Sequence, residues 1–167
     1  ALSATNSLGR RAIFLTKERA QIPSSIPESV LWQPYVPLSA LLPHAAALVH
    51  HGGIGTTAEA LRSGTPQLII PFAWDQFDNG ARIASLGAGM VIPSKKLQPR
   101  KLARGLQSLC SSENIRTQCS LFASRFIAPH DPIALCREVE RLVLATHKGT
   151  QHVNPPDLRQ AALASVR

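Results

Sequence analysis

His50-His51-Gly52-Gly53-Ile54-Gly55-Thr56-Thr57-Ala58-Glu59 stands where an apolar run ends and a helical pattern begins. The residues before it, Ala46-Ala47-Leu48-Val49-His50, read as a strand. Those after it, Thr56 to Arg62, read as a helix that ends before Gly64. Glycines at such a junction let a ligand approach the backbone with no Cβ in the way. The first turn of the helix adds N–H groups without intrahelical partners and a partial positive charge. Together these make a cradle for phosphate. Thr56 and Thr57 can add hydroxyl donors, and His51 stands beside the proposed anion. The plainer alternative is a glycine turn with a threonine cap. Three glycines within four residues exceed what a cap needs.

The same alternation extends both ways. Arg11 to Thr16, Ser29 to Trp32, Gln67 to Pro71 and Gly89 to Ile92 are further short apolar runs bounded by Gly, Pro or polar residues. Such runs suit strands covered on both faces. Gln76 to Leu86 reads as a helix ending before Gly87. Strands and helices joined by short links predict an α/β fold with a Rossmann-like, doubly wound parallel sheet. The last third reads as helical. Leu102, Leu106 and Leu109 share one face; Ile115, Cys119, Phe122 and Phe126 share another. Asp131-Pro132 opens a final helix whose apolar face is Ile133, Cys136, Val139 and Val143. Packing is the expected role of these faces. Lys148 to Pro156 reads as a linker, and Asp157 to Val166 fits one short helix. Ala1 to Leu8 reads as the tail of a helix. A doubly wound domain has a strand before that helix, so the domain's first strand is expected upstream of Ala1.

Composition narrows the function classes. At 167 residues, 44% hydrophobic and 17% charged, the chain suits one globular domain with a real core. No run approaches the roughly 18 apolar residues that span a bilayer. The start carries no signal-peptide pattern, so the expected location is the cytoplasm, with peripheral membrane contact still allowed. Cys110, Cys119 and Cys136 are too few and too scattered for a disulfide scaffold or a zinc site, and are expected as buried thiols. The net charge of +8 favours anionic partners. The basic residues are scattered with no aromatic platform among them, which argues against nucleic acid.

A dinucleotide reading competes for the glycine loop. Gly53-Ile54-Gly55-Thr56-Thr57-Ala58 satisfies G-x-G-x-x-G/A, and Asp75 falls 20 residues past Gly55, where that fingerprint wants an acid. The fingerprint belongs after the first strand of its sheet, however, and two strands precede this loop. It also leaves His51 and Glu59 without a role. Glu59, within the first helical turns, can accept hydrogen bonds from two ribose hydroxyls. Asp75-Gln76 closes Pro71-Phe72-Ala73-Trp74-Asp75-Gln76; a carboxylate beside an amide suits a polyol. Trp32, Tyr35 and Val36 precede Pro37 in a segment where an aromatic ring could stack on a base. The plainer alternatives are a solvated acid at Glu59, a helix cap at Asp75 and core packing for either ring. His50 is expected to be structural.

In order, these segments form a pattern. Tyr35-Val36-Pro37, Leu41-Leu42-Pro43, His50 to Thr56, Glu59-Ala60, Gly64-Thr65-Pro66-Gln67 and Pro71 to Gln76 closely resemble the nucleotide-sugar box of GT-B glycosyltransferases. The nearest likeness is to bacterial UDP-glycosyltransferase-like enzymes that glycosylate sterols, lipids and natural products. The box covers about a quarter of the chain, and a looser resemblance runs from Arg11 to about Leu144. The resemblance implies a donor-binding domain over 1–147, with 148–167 a linker or tail. It implies a hexosyltransferase that uses a UDP- or TDP-sugar and inverts the anomeric centre, with no cofactor and no metal. Val36 would meet the base edge beside a stacking Tyr35. His51 and the backbone of Gly52, Gly53, Gly55 and Thr56 would hold the diphosphate. Glu59 would bind ribose, and Asp75 and Gln76 the sugar.

The chain departs from plant members at Tyr35, Val36, Pro37 and Leu38, which replace tryptophan, alanine, proline and glutamine. It departs again at Ile54 and Gly55, which replace tryptophan and asparagine. In such enzymes the acceptor pocket and a histidine base come from an N-terminal domain, a partner expected outside this chain. No catalytic residue is therefore assigned. His44, His50 and His51 each lack an obvious carboxylate partner in the sequence. Two other functions remain open at this point: a self-standing donor-binding subunit, and a nucleotide-sugar-binding module without catalysis.

Overall fold

The structure, a computed structural model, describes residues 1–126 and 132–148. It divides into two compact units, Ala1–Ile127 and Ala128–Arg167. The sequence places its boundary 20 residues later, after His147. The second unit contributes one described helix, α7 (Pro132–Lys148), with proline at its first position as expected. The capping Asp131 and the tail from 149 onward, with its expected short helix, lie outside the described residues.

The first unit runs α1 (Leu2–Leu8), β1 (Ala12–Leu15), β2 (Val30–Gln33), α2 (Leu38–Leu41), β3 (Leu48–His50), α3 (Ile54–Ser63), β4 (Gln67–Ile69), α4 (Gln76–Ser85), β5 (Gly89–Val91), α5 (Pro99–Ser111) and α6 (Glu113–Arg125). All five expected strands form, and every strand pair is parallel. They make two sheets, β1-β2 and β3-β4-β5. The sequence implied strands covered on both faces, and only β4 is buried at every residue. Along β1, Ala12 and Phe14 are half-buried while Ile13 and Leu15 are exposed. A two-stranded pair has less helix surface to lie against than the central strand of three.

β4 shows what a double winding does. Leu68 packs with Ala4 of α1 and with Leu102 and Leu109 of α5. Its neighbour Ile69 points the other way and packs with Ile83 of α4, Ala88 and Cys119 of α6. The two helical faces read from the sequence therefore serve opposite sides of one strand. Local signals fix the helix ends: Pro99 opens α5, and Ser112 accepts a hydrogen bond from the Ile115 N–H at 3.3 Å to open α6.

The cysteines correct one expectation. Only Cys119 is buried; Cys110 is half-buried and Cys136 exposed. Burial pushes the Cys119 thiol up to about 11, and its S–H lies 3.4 Å from the Ala88 carbonyl. An apolar helical pattern marks a face, and a small residue at the edge of that face need not be covered. Among the described residues, no helix is long and apolar enough to cross a membrane.

Candidate functional site

Three loops leave the C-terminal ends of β2, β3 and β4 and carry the expected residues. Ligand sites of parallel α/β sheets open at such ends. The loop after β3 holds His51, Gly52 and Gly53, and Gly53 is the N-cap of α3. No side chain caps that helix, and its first turn has no acidic residue. The threonine-cap alternative is thereby excluded. Thr57, read as a hydroxyl donor to a ligand, is buried instead, and its hydroxyl donates to the Gly53 carbonyl at 2.9 Å. Thr56, half-buried, remains at the helix mouth.

Each glycine of the loop answers to a different neighbour. Gly52 has φ +95°, and a Cβ there would lie 2.8 Å from Ile69 Cγ2 and 3.1 Å from the Gln76 carbonyl oxygen. Gly53 lies under the His51 ring: a Cβ would stand 2.7 Å from Nε2. Gly55 differs, because a Cβ would meet nothing within 4 Å among the described residues. Glycine inside a helix costs about 0.5–1 kcal/mol relative to alanine. Among the described residues nothing demands it at Gly55, and the space there is open.

His50 holds this loop from below. Its Nδ1 accepts from the Gly52 N–H at 3.2 Å, so Nε2 carries the proton and donates to Gln67 Oε1 at 3.0 Å. Gln67, fully buried, passes its own N–H to the Thr57 carbonyl at 3.3 Å. Burial, with the nearby His51 as a smaller cause, lowers the His50 pKa to about 4. An unfolded histidine takes up a proton below about pH 6.5, whereas folded His50 stays neutral until about pH 4. Stability is therefore present above the unfolded value and is lost as pH falls toward the folded one. We expect His50 to account for about 2–3 kcal/mol lost between pH 7 and pH 4. Denaturant titrations at both pH values check it; an equal loss in His50→Gln would remove the assignment.

The loop after β4 is tied to the glycine loop. Asn79 Nδ2 donates to the Gly52 carbonyl at 2.9 Å and to Asp75 Oδ2 at 2.9 Å. Asp75 occupies the N-cap position of α4, yet its carboxylate caps no backbone N–H. Gln76 Oε1 accepts from the N–H groups of Phe72 at 2.9 Å and Ala73 at 3.2 Å. The Gln76 oxygen is therefore committed to its own loop, and the side-chain NH₂ is what it can offer a ligand. Sequence reasoning missed Asn79; its i,i+4 spacing from Asp75 on a helix was the available signal.

The remaining residues sort simply. Glu59 is half-buried on α3, its Oε1 4.0 Å from Arg62 Nε. Tyr35 is exposed and Val36 half-buried in the loop before α2, and α2 packs against α3. Trp32 is not in that loop. It belongs to β2, where its indole N–H donates to the Thr16 carbonyl at 3.0 Å under the Arg19 guanidinium. Of the two aromatics considered for base stacking, Tyr35 alone is open to solvent. Geometry thus brings His51 to Thr56 together with Asp75 and Gln76, and no hydrogen bond joins Tyr35 or Val36 to that pair of loops among the described contacts. A cleft of about 490 Å³ between α1 and α5, lined by Ser3, Leu8, Arg100 and Arg104 among others, contains none of these residues. Among the described residues no cluster of His, Cys, Asp and Glu could hold a metal ion. β1 and β2 precede the glycine loop but pair in a sheet of their own, so strand order does not set the dinucleotide reading aside.

Comparison with known proteins gives the family and the fold. Residues 10–142 match the family described as erythromycin biosynthesis protein CIII-like, C-terminal domain. The chain is 34% identical over 132 residues to tylactone mycaminosyltransferase of Streptomyces fradiae, covering 79% of this chain and 29% of that protein. It is 33% identical over 139 residues to aklavinone 7-beta-L-rhodosaminyltransferase of Streptomyces galilaeus, covering 83% and 31%. The chain thus spans under a third of the length of these curated relatives. A crystal structure of the glycosyltransferase VinC in complex with DTDP superimposes with a TM-score of 0.74 at 30% identity, covering 84% of this chain and 36% of that one. The chain belongs to the EryCIII-like C-terminal domains of GT-B glycosyltransferases.

Proposed function

We propose that this domain binds the donor of a glycosyltransferase, a UDP- or TDP-hexose, whose sugar passes to an acceptor hydroxyl with inversion. The observation that carries the reading is the mouth of α3, with its uncapped N–H groups, its glycine loop and the open space at Gly55. The VinC structure described in complex with DTDP supports a diphosphate as the ligand. In the proposed reaction the acceptor oxygen bonds to the anomeric carbon as the bond from that carbon to the diphosphate breaks. The electron pair leaves on the diphosphate. The first-turn N–H groups of α3 and the His51 ring meet the growing charge as preorganised donors. The acceptor pocket and the base that takes the acceptor proton belong to a separate, N-terminal domain. His50 is not that base, since both its ring nitrogens are committed inside the loop.

Two substitutions test the two ends of the ligand. Glu59→Ala removes the proposed ribose contact and should weaken free UDP or TDP by about 10- to 100-fold, the value of one hydrogen bond to a charged group. Asp75→Ala should leave free nucleotide unchanged and weaken the nucleotide sugar by a similar factor. Calorimetric titration reads both. Unchanged nucleotide affinity removes Glu59 from the site; equal losses for both ligands in Asp75→Ala mean that Asp75 does not touch the sugar.

A further inference from the structure

Trp74 is the only non-glycine residue with positive φ among the described residues, at +49°. A bulky side chain in that region is a genuine outlier, because its Cβ crowds the following carbonyl. The indole gains little packing in return: it is 89% exposed, the most open of the large apolar side chains among the described residues. The loop is not loose. Gln76 Oε1 ties down the N–H groups of Phe72 and Ala73, and Asn79 clasps both Asp75 and the glycine loop. A strained residue persists where its surroundings over-determine it, and such residues gather at ligand clamps. Here the surroundings hold an indole in water, next in sequence to a carboxylate that caps nothing. Phe72 and Phe77 beside it are also exposed.

A hexose ring presents two chemistries at once: hydroxyls around its rim and an apolar face of C–H groups. The carboxylate of Asp75 and the amide NH₂ of Gln76 suit the rim. A flat indole, ordered at the cost of two torsions, suits the face, and burying it there removes apolar surface from water. We infer that Trp74 is a stacking surface for the hexose of the donor, selecting the sugar and not the nucleotide. The inference rests on the donor-site reading above.

The test uses the whole chain and two readouts. The sequence has two tryptophans, so Trp32→Phe leaves Trp74 as the sole indole fluorophore. In that background UDP-glucose or TDP-rhamnose, whichever carries the nucleotide that binds, should shield Trp74 from acrylamide quenching, and the free nucleotide should not. In parallel, Trp74→Gly removes the ring and the backbone strain together, so the fold should melt no lower than the unaltered chain. Its affinity for free nucleotide should stay within about twofold, while the nucleotide sugar weakens by about tenfold. Trp74→Phe should retain most of the sugar affinity. Equal quenching with and without the sugar, or undiminished sugar affinity in Trp74→Gly, overturns the inference while the donor site stands. Failure of the unaltered chain to bind any nucleotide overturns both.

Discussion

Gly89→Ala is expected to be the most damaging single-methyl change in the first unit. Gly89 lies opposite Gln67 in the parallel β4–β5 pair. A Cβ there would press into the Gln67 carbonyl and lie 2.8 Å from Ile83 Cγ2. Gln67 and Ile83 are both buried, so neither has room to retreat. The carbonyl is backbone in the central strand, and moving it shifts Leu68 and Ile69, which anchor the two core clusters. Overpacking a rigid interior typically costs 1–3 kcal/mol, and a backbone obstacle puts this site at about 3. For a unit of this size that corresponds to a melting temperature lower by about 6–12 °C. Differential scanning calorimetry checks it. A melting temperature within about 2 °C of the unaltered chain would mean that β4 and β5 adjust more freely than a close-packed core allows.

Gly55→Val is expected to do the opposite: leave the fold intact and remove the ligand. A Cβ at residue 55 meets no atom of the described residues within 4 Å, and valine is a better helix residue than glycine. Stability should therefore hold or rise slightly. The added methyl groups would occupy the space before the first turn of α3, where the diphosphate is proposed to sit. Losing the hydrogen bonds of a charged ligand, at roughly 1.5–3 kcal/mol each, gives a loss in nucleotide affinity of at least about a hundredfold. Unchanged affinity in a well-folded variant would place the diphosphate elsewhere.

The sequence marked strands and helices well where one feature dominated. Gln67 to Ile69 reads as a strand because β4 is buried on both faces, so every residue of the run is selected for burial. α3 and α4 end at Gly64 and Gly87, whose positive φ values are what the glycines announced. The glycine loop was legible for the same reason: a backbone requirement leaves a residue type behind. Contacts between loops leave no such local mark. His50 meets Gln67 across 17 positions and Asn79 meets Gly52 across 27, so neither pairing shows in any local window. Thr57 was assigned to the ligand with Thr56, although the helical phase that buries Ala60 also carries Thr57 inward. Trp32 ends the strand read over Ser29 to Trp32 and is also a candidate for base stacking; β2 runs through Gln33, and the indole N–H is used on the Thr16 carbonyl. The strain at Trp74 was illegible, since nothing in Phe72-Ala73-Trp74-Asp75 favours a left-handed backbone.

The central claim is that the mouth of α3 holds the diphosphate of a sugar donor. Calorimetric titration of the unaltered chain with UDP, TDP, UDP-glucose and TDP-rhamnose tests it most directly. The expected result is saturable binding of one nucleotide, with the nucleotide sugar of the same base binding at least as tightly through Asp75 and Gln76. Absence of binding by all four would contradict it.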